Sequence, residues 1–201
     1  MTLTLGTEYF ARLYADSTDP WHFRERWYEK RKRALTLAAL TKPRYVSAFE
    51  PGCSIGEFAA ELATRCDVLL VSDVDPQACR SARQRLALFP HVQVARQSVP
   101  TEWPEASFDL IVISELAYYF DDTDLADLIA RISTSLMQGG TLLACHWRHP
   151  VEDYPQTGDA VHARFERDLS LHHLLHHEEP DFLLDVWSDD GRSVAQREGL
   201  V

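Results

Sequence analysis

A chain of 201 residues, 45% of them hydrophobic, can bury one full core, but it cannot hold a nucleotide-binding domain beside a separate catalytic domain of ordinary size. Its formal net charge of −11 argues against nonspecific nucleic-acid binding, which needs a basic face to neutralise phosphates, and favours a small-molecule partner. The four cysteines, Cys53, Cys66, Cys79 and Cys145, show no CxxC pairing, so neither a disulfide framework nor a zinc site is expected, and reduced thiols in the cytosol are the simpler reading.

The start, Met1 to Glu8, has no basic n-region and no apolar stretch, and nowhere does the chain reach the roughly 18 consecutive apolar residues of a membrane span. No export signal and no membrane contact are expected, and a cytoplasmic location fits. Residues 1–43 read as a helical extension, and 44–201 as the main domain. Within the extension, Arg24, Arg26, Lys30, Arg31, Lys32 and Arg33 precede the apolar run Ala34 to Leu40. Such a run is ordinarily a solvated helix face; the alternative is a lid over the domain's ligand.

Helical patterns then alternate with short apolar runs, as in a parallel sheet built from βαβ units. Val46 to Glu50 reads as the first strand and Val68 to Ser72 as the second. A helix from about Pro76 to Leu88 leads to a third strand at Val92 to Ala95. Between the first two strands lies Glu50-Pro51-Gly52-Cys53-Ser54-Ile55-Gly56, a strand end entering a glycine turn. Asp73 follows Gly52 by about 20 residues, the spacing at which a second-strand carboxylate meets the ribose of a nucleoside lying across the first turn. The glycines are spaced GxxxG rather than GxGxxG, the pattern that holds a pyrophosphate on a helix N-terminus. Glu50, two residues before the first glycine, would repel a pyrophosphate but suits a ligand carrying an amine and a positive sulfonium. S-adenosylmethionine (SAM) is such a ligand.

Phe108 to Ser114 reads as a fully buried fourth strand. Glu115 follows it at the topological switch point, either to orient or deprotonate an acceptor or simply to favour a helix N-terminus. Tyr118 and Tyr119 come next as candidate acceptor contacts. A helix from Asp124 to Met137 is expected to stop at Gly139-Gly140, before a fifth strand at Thr141 to His146. His146 is the alternative base or a buried strand-end histidine, and Trp147 and Arg148 lie on the same ligand edge. The pairs His172-His173 and His176-His177 fall at i,i+4 on a predicted helix; without a cysteine or HExxH motif nearby, no metal site is assigned. Phe182 to Trp187 and Ser193 to Arg197, around Asp190-Gly191, read as a closing antiparallel hairpin.

The glycine turn, Asp73, Ser107 to Leu110 and Gly139-Gly140 resemble the class I SAM-dependent methyltransferases over roughly residues 44–201. More narrowly, Asp19-Pro20-Trp21, Trp27 to Arg31 and Ser47 to Gly56 are similar to the family of the nodulation N-methyltransferase NodS. The resemblance implies an α/β, Rossmann-like, mainly parallel seven-stranded sheet with helices on both faces and a C-terminal antiparallel hairpin. It implies that Glu50, Gly52, Cys53 and Gly56 line the methionine moiety, Asp73 and Val74 the ribose and adenine, and Ser114 the backbone beneath the sulfonium. It also favours the lid, with Trp21 or Tyr28 on the cofactor and Arg31 on the methionine carboxylate. The class often has an acid for the adenine amino group where this chain has Gln97-Ser98-Val99, which leaves that role to Ser98 or to backbone atoms around Val99.

Methyl transfer needs the acceptor lone pair in line with the sulfur–methyl bond, and a base only if the acceptor arrives protonated. The expected activity is N-methylation of a small amine, such as an amino-sugar-containing metabolite, with Glu115 or His146 as base and S-adenosylhomocysteine as product. An O-methyltransferase and a non-catalytic SAM-binding module are the alternatives. Neither the acceptor nor the oligomeric state is legible in the chain.

Overall fold

The computed structural model describes residues 3–201. Two helices precede the sheet, α1 (Thr7–Asp16) and α2 (Trp27–Ala38). The next units are β1 (Tyr45–Pro51), α3 (Glu57–Leu62), β2 (Cys66–Asp73), α4 (Pro76–Arg85), β3 (Val92–Arg96) and β4 (Phe108–Ser114). After them come α5 (Asp122–Ser135), β5 (Leu136–Trp147), α6 (Gly158–Asp168), β6 (His172–Glu178), β7 (Phe182–Ser188) and α7 (Val194–Arg197). Helix starts carry local signals: Asp75 accepts from the N–H groups of Gln77 and Ala78 with Pro76 following, and Asp121 accepts from those of Thr123 and Asp124.

The seven strands lie in the order β3-β2-β1-β4-β5-β7-β6. Strands β1 to β5 are parallel, and β7 runs antiparallel to both β5 and β6. The chain leaves β1 outward on one side through β2 and on the other through β4, so β1 and β4 form the switch point where open α/β sheets bind ligands. One face is covered by α2, α3 and α4 through Leu35, Ala59, Leu62, Ala82 and Leu86. The other is covered by α5 and α6 through Leu125, Leu128, Ile132, Val161 and Phe165. Apolar β4, buried between these layers, is the fully buried strand that its sequence predicts. All four cysteines are free and buried, and no helix among the described residues is long and apolar enough to cross a membrane.

The antiparallel hairpin is present but uses other residues. His172–Glu178, expected as a helix, is the edge strand β6, and it pairs with β7 across a turn containing Pro180 and Asp181. Ser193 to Arg197, expected as a strand, forms α7 because Ser193 and Gln196 make a reciprocal capping box. Gly139-Gly140 does not end a helix. Helix α5 stops at Ser135, and the glycines sit inside β5, where the register with β4 shifts between Phe108/Leu136 and Leu110/Thr141.

Candidate active site

The turn after β1 is held open by left-handed backbone at Gly52 (φ 74°), Ser54 (φ 51°) and Gly56 (φ 81°). A Cβ on Gly52 would lie 3.0 Å from the Leu116 side chain, a close approach that together with the left-handed φ favours glycine here. Ser54 tolerates its strained φ because its N–H donates to Asp73 Oδ2 (2.9 Å) and its hydroxyl bonds Tyr14 of α1 (2.6 Å). Asp73 Oδ1 accepts from the Asp75 N–H at 2.9 Å, which fixes the carboxylate at the end of β2 and leaves further lone pairs facing the cavity. Burial raises its pKa to about 6 against these backbone donors.

Glu50 ends β1 in a buried position, and its Oε2 has no hydrogen-bond partner among the described residues. Burial, with the Asp73 charge adding to it, pushes its pKa up to about 8. A buried carboxyl without a partner suits a cationic or hydrogen-donating group placed beside it. Gln97 Oε1 and the Tyr28 hydroxyl are likewise buried without partners and border the same cavity.

That cavity, about 600 Å³, lies over the carboxyl ends of β1, β2 and β4 and is roofed by α1 and the start of α2. Of the expected cofactor residues, Glu50, Gly52, Cys53, Asp73, Val74 and Ser114 reach it, as do Ser98 and Val99 beyond β3. From the extension, Trp21 and Tyr28 border it, Trp21 packed edge-on against Tyr14. Gly56 does not reach it: a Cβ there would meet the Ala82 backbone of α4 at 3.2 Å, so this glycine serves helix packing. Arg31 also turns away, its guanidinium paired with both Glu179 oxygens on the surface.

Glu115 follows β4 in left-handed backbone (φ 52°) and borders the cavity together with Tyr118, Tyr119 and Trp147. Its carboxylate accepts three hydrogen bonds. Oε1 accepts from Lys32 Nζ (2.7 Å), and Oε2 from the Tyr118 hydroxyl (2.5 Å) and the Trp147 N–H (3.0 Å). Lys32 also pairs with Glu29 at 3.1 Å and lies over the Tyr28 ring. The end of the cavity beside Glu115 is aromatic: Tyr118 stacks on Tyr154 with centroids 4.9 Å apart, and Tyr28 meets Trp147 edge-on.

His146 is not placed as a base. It is fully buried behind the loop after β4, where its Nε2 accepts from the Ala117 N–H, and burial holds its pKa well below the ordinary value. The backbone donor fixes its proton on Nδ1, which donates to His162 Nε2; His162 Nδ1 in turn donates to Asp185. Arg148 is also outside the cavity, paired with Asp159 and Glu178.

Sequence reasoning missed Lys32, Gln97, Tyr14 and Tyr154. Glu29, Lys32, Arg33 and Thr36 are buried at helical spacing on α2, so a polar stripe in the position of an apolar one was the available signal.

A parallel sheet reversing at β1 and β4, closed by an antiparallel β7, with acids ending β1 and β2 beside a cavity, is the class I SAM-dependent methyltransferase fold. Residues 8–154 match the family described as Nodulation protein S (NodS), and the chain belongs to that family. Nodulation protein S of Rhizobium tropici is 32% identical over 127 residues, 62% of this chain and 53% of that protein. The chain thus spans about half the length of the curated relatives it matches. Among solved structures, a candidate methyltransferase from Pseudomonas syringae is 53% identical, with a TM-score of 0.72, over 81% of this chain and 99% of its own. The N-methyltransferase NodS from Bradyrhizobium japonicum WM9, in complex with S-adenosylhomocysteine, is 25% identical with a TM-score of 0.81, over 90% and 97%.

Proposed function

We propose that the chain is a SAM-dependent N-methyltransferase acting on a small amine. The observation that carries this reading is the unpartnered Glu50 carboxylate beside Asp73, at the mouth of the Gly52 turn. The residues present fit the cofactor. Glu50 offers an acceptor for its amino group, Asp73 for the ribose hydroxyls, and Gln97 Oε1 for the adenine amino group, with Val74 and Val99 as apolar walls. Gln97 thereby takes the part that the sequence left to Ser98, whose carbonyl already accepts from the Thr101 hydroxyl and the Glu102 N–H. When bound, the cofactor supplies an electrophilic methyl group on a positive sulfur and leaves as S-adenosylhomocysteine.

The chain's own residues then hold the acceptor and exclude water. Tyr118 donates its hydroxyl proton to Glu115, so its oxygen lone pairs remain free to accept from an acceptor N–H. The faces of Tyr28, Tyr118 and Trp147 suit an amine in either charge state. A hydroxyl acceptor would need a residue to take its proton in the transition state. Glu115 is occupied by its donors and His146 lies outside the cavity, so this arrangement favours an amine, which carries its own lone pair once neutral. Tyr14, Trp21 and Tyr28 of residues 1–43 act as a lid over the 44–201 domain, and the buried free thiols suit a cytoplasmic setting.

Methyl-labelled SAM incubated with a panel of small amines and matched alcohols tests this. Label is expected on amines. Label on alcohols alone would make it an O-methyltransferase, and tight SAM binding without transfer to any of the panel would favour a binding module.

A further inference from the structure

We infer that the β6–β7 edge is a binding site for a borderline divalent transition metal such as Zn²⁺, held by His173, His176 and Asp185. The three residues bring one ligand atom each within 4.8 Å of one another. His173 Nε2 and His176 Nδ1 both lie 2.7 Å from Asp185 Oδ1.

Residues three apart on a regular strand point to opposite faces. His173 and His176 converge because β6 bulges between His173 and Leu175: His173 pairs with Trp187, Leu175 with Val186, and His176 directly with Asp185. The bulge spends one residue to place two imidazoles over one carboxylate.

The outer partners match a metal centre as well. Metal-bound histidines typically donate their distal N–H to a carboxylate. Here Glu166 Oε2 lies 3.1 Å from His173 Nδ1, and Glu178 Oε2 lies 3.6 Å from His176 Nε2. Glu166 is itself fixed by the Trp187 indole N–H at 2.7 Å, and His173 stacks on the Trp187 ring. Asp185, 2% exposed, has its other oxygen held by His162, so Oδ1 is aimed at the two histidines.

Without metal, both imidazoles donate their protons to Asp185 Oδ1. On binding, the ring nitrogen of each histidine that faces Asp185 gives its proton to the distal nitrogen or, where that nitrogen already carries one, to solvent, and the freed nitrogens bind the ion. Two neutral histidines and one carboxylate give three ligands at about 2.0–2.2 Å, with solvent water completing a tetrahedron. Half-exposed His176 leaves the entry path.

The test is titration of chelator-stripped, tag-free protein with ZnCl₂ in competition with a chromophoric chelator. One equivalent is expected to bind saturably and to raise the thermal midpoint. His173→Gln and His176→Gln should each weaken binding by at least about 10-fold. His149→Gln, paired with Asp181 elsewhere on the surface, should leave binding unchanged. Circular dichroism at 25 °C on each variant separates lost ligation from lost fold. Absence of saturable binding to the wild-type chain, or wild-type affinity in folded His173→Gln and His176→Gln, would overturn the site.

Discussion

Lys32 Nζ on α2 lies 2.7 Å from Glu115 Oε1 beyond β4, a contact across 83 positions of sequence with both side chains largely buried. It ties the segment before the sheet to the loop at the switch point. Burial alone would discharge the ammonium, but Glu115 and Glu29 outweigh it and hold the Lys32 pKa above its ordinary value.

Replacing Lys32 with Met leaves Glu29 and Glu115 facing each other uncompensated. Breaking a buried pair costs about 3–5 kcal/mol, so denaturant unfolding should show a loss of that order. Adding Glu29→Gln and Glu115→Gln to Lys32→Met should recover most of it. A Lys32→Met chain as stable as wild type would mean the pair is solvated in solution.

Glu115→Gln tests whether this carboxylate takes a proton. Because its oxygens are occupied by Lys32, Tyr118 and Trp147, turnover of the amine is expected to fall by less than about 10-fold, below the 10²–10⁴ of a positioned base. In both forms, kcat/KM should rise with pH as the amine loses its proton in solution. A loss of 10²-fold or more, with the high-pH limb recovered, would restore Glu115 as the base.

Glu50→Gln should trade binding for stability. A carboxyl with a raised folded pKa contributes stability that is present below its unfolded value and lost as pH rises, here between about 4.5 and about 8. At pH 7 the ligand-free Gln variant should therefore be more stable by up to about 3 kcal/mol, with weaker SAM affinity. In the wild type, the ligand's ammonium should expel the Glu50 proton, so calorimetric heats near pH 7 should vary with the buffer's ionisation enthalpy. Buffer-independent heats would show that Glu50 is already ionised.

Asp73→Ala removes a charged acceptor for the ribose and the tie to the Ser54 N–H. Charge-assisted hydrogen bonds of about 1.5–3 kcal/mol translate into a roughly 10- to 100-fold loss of SAM affinity by calorimetry. Unchanged affinity would move the ribose elsewhere in the cavity.

Removing residues 1–26 takes away Tyr14 and Trp21 but keeps α2, whose Leu35 and Leu37 pack on the core. The truncated chain should stay folded and bind SAM at least about 10-fold more weakly, since the roof over the turn is gone. Full affinity in the truncated chain would show that the extension is no lid.

Strands β1, β2 and β4 and the Gly52 turn were legible because each strand is a short apolar run closed by a glycine or an acid, a signal contained within a few residues; the order of the strands in the sheet was not. The hairpin was misplaced because His172-His173 and His176-His177 fit a helical period as well as a strand. The turn residues Pro180-Asp181 and the Ser193/Gln196 cap were the deciding local cues. Gly56 and Arg31 were assigned by position in a motif, but side-chain direction is set by neighbours such as Ala82 and Glu179, far away in sequence. Lys32 was hidden for the same reason: its partner Glu115 is found only once the chain has folded.

The burial of the cysteines bears on how the protein endures oxidants. Thiolates react and thiols do not, and burial raises the pKa of Cys53 well above its ordinary value and those of Cys66 and Cys145 to about 12. Cys53 stands in the Gly52 turn and borders the cavity, yet burial keeps its thiol protonated. Peroxide or alkylating agents that silence thiol-dependent enzymes will find little to attack here, and the folded chain should keep its ligand without any added reductant.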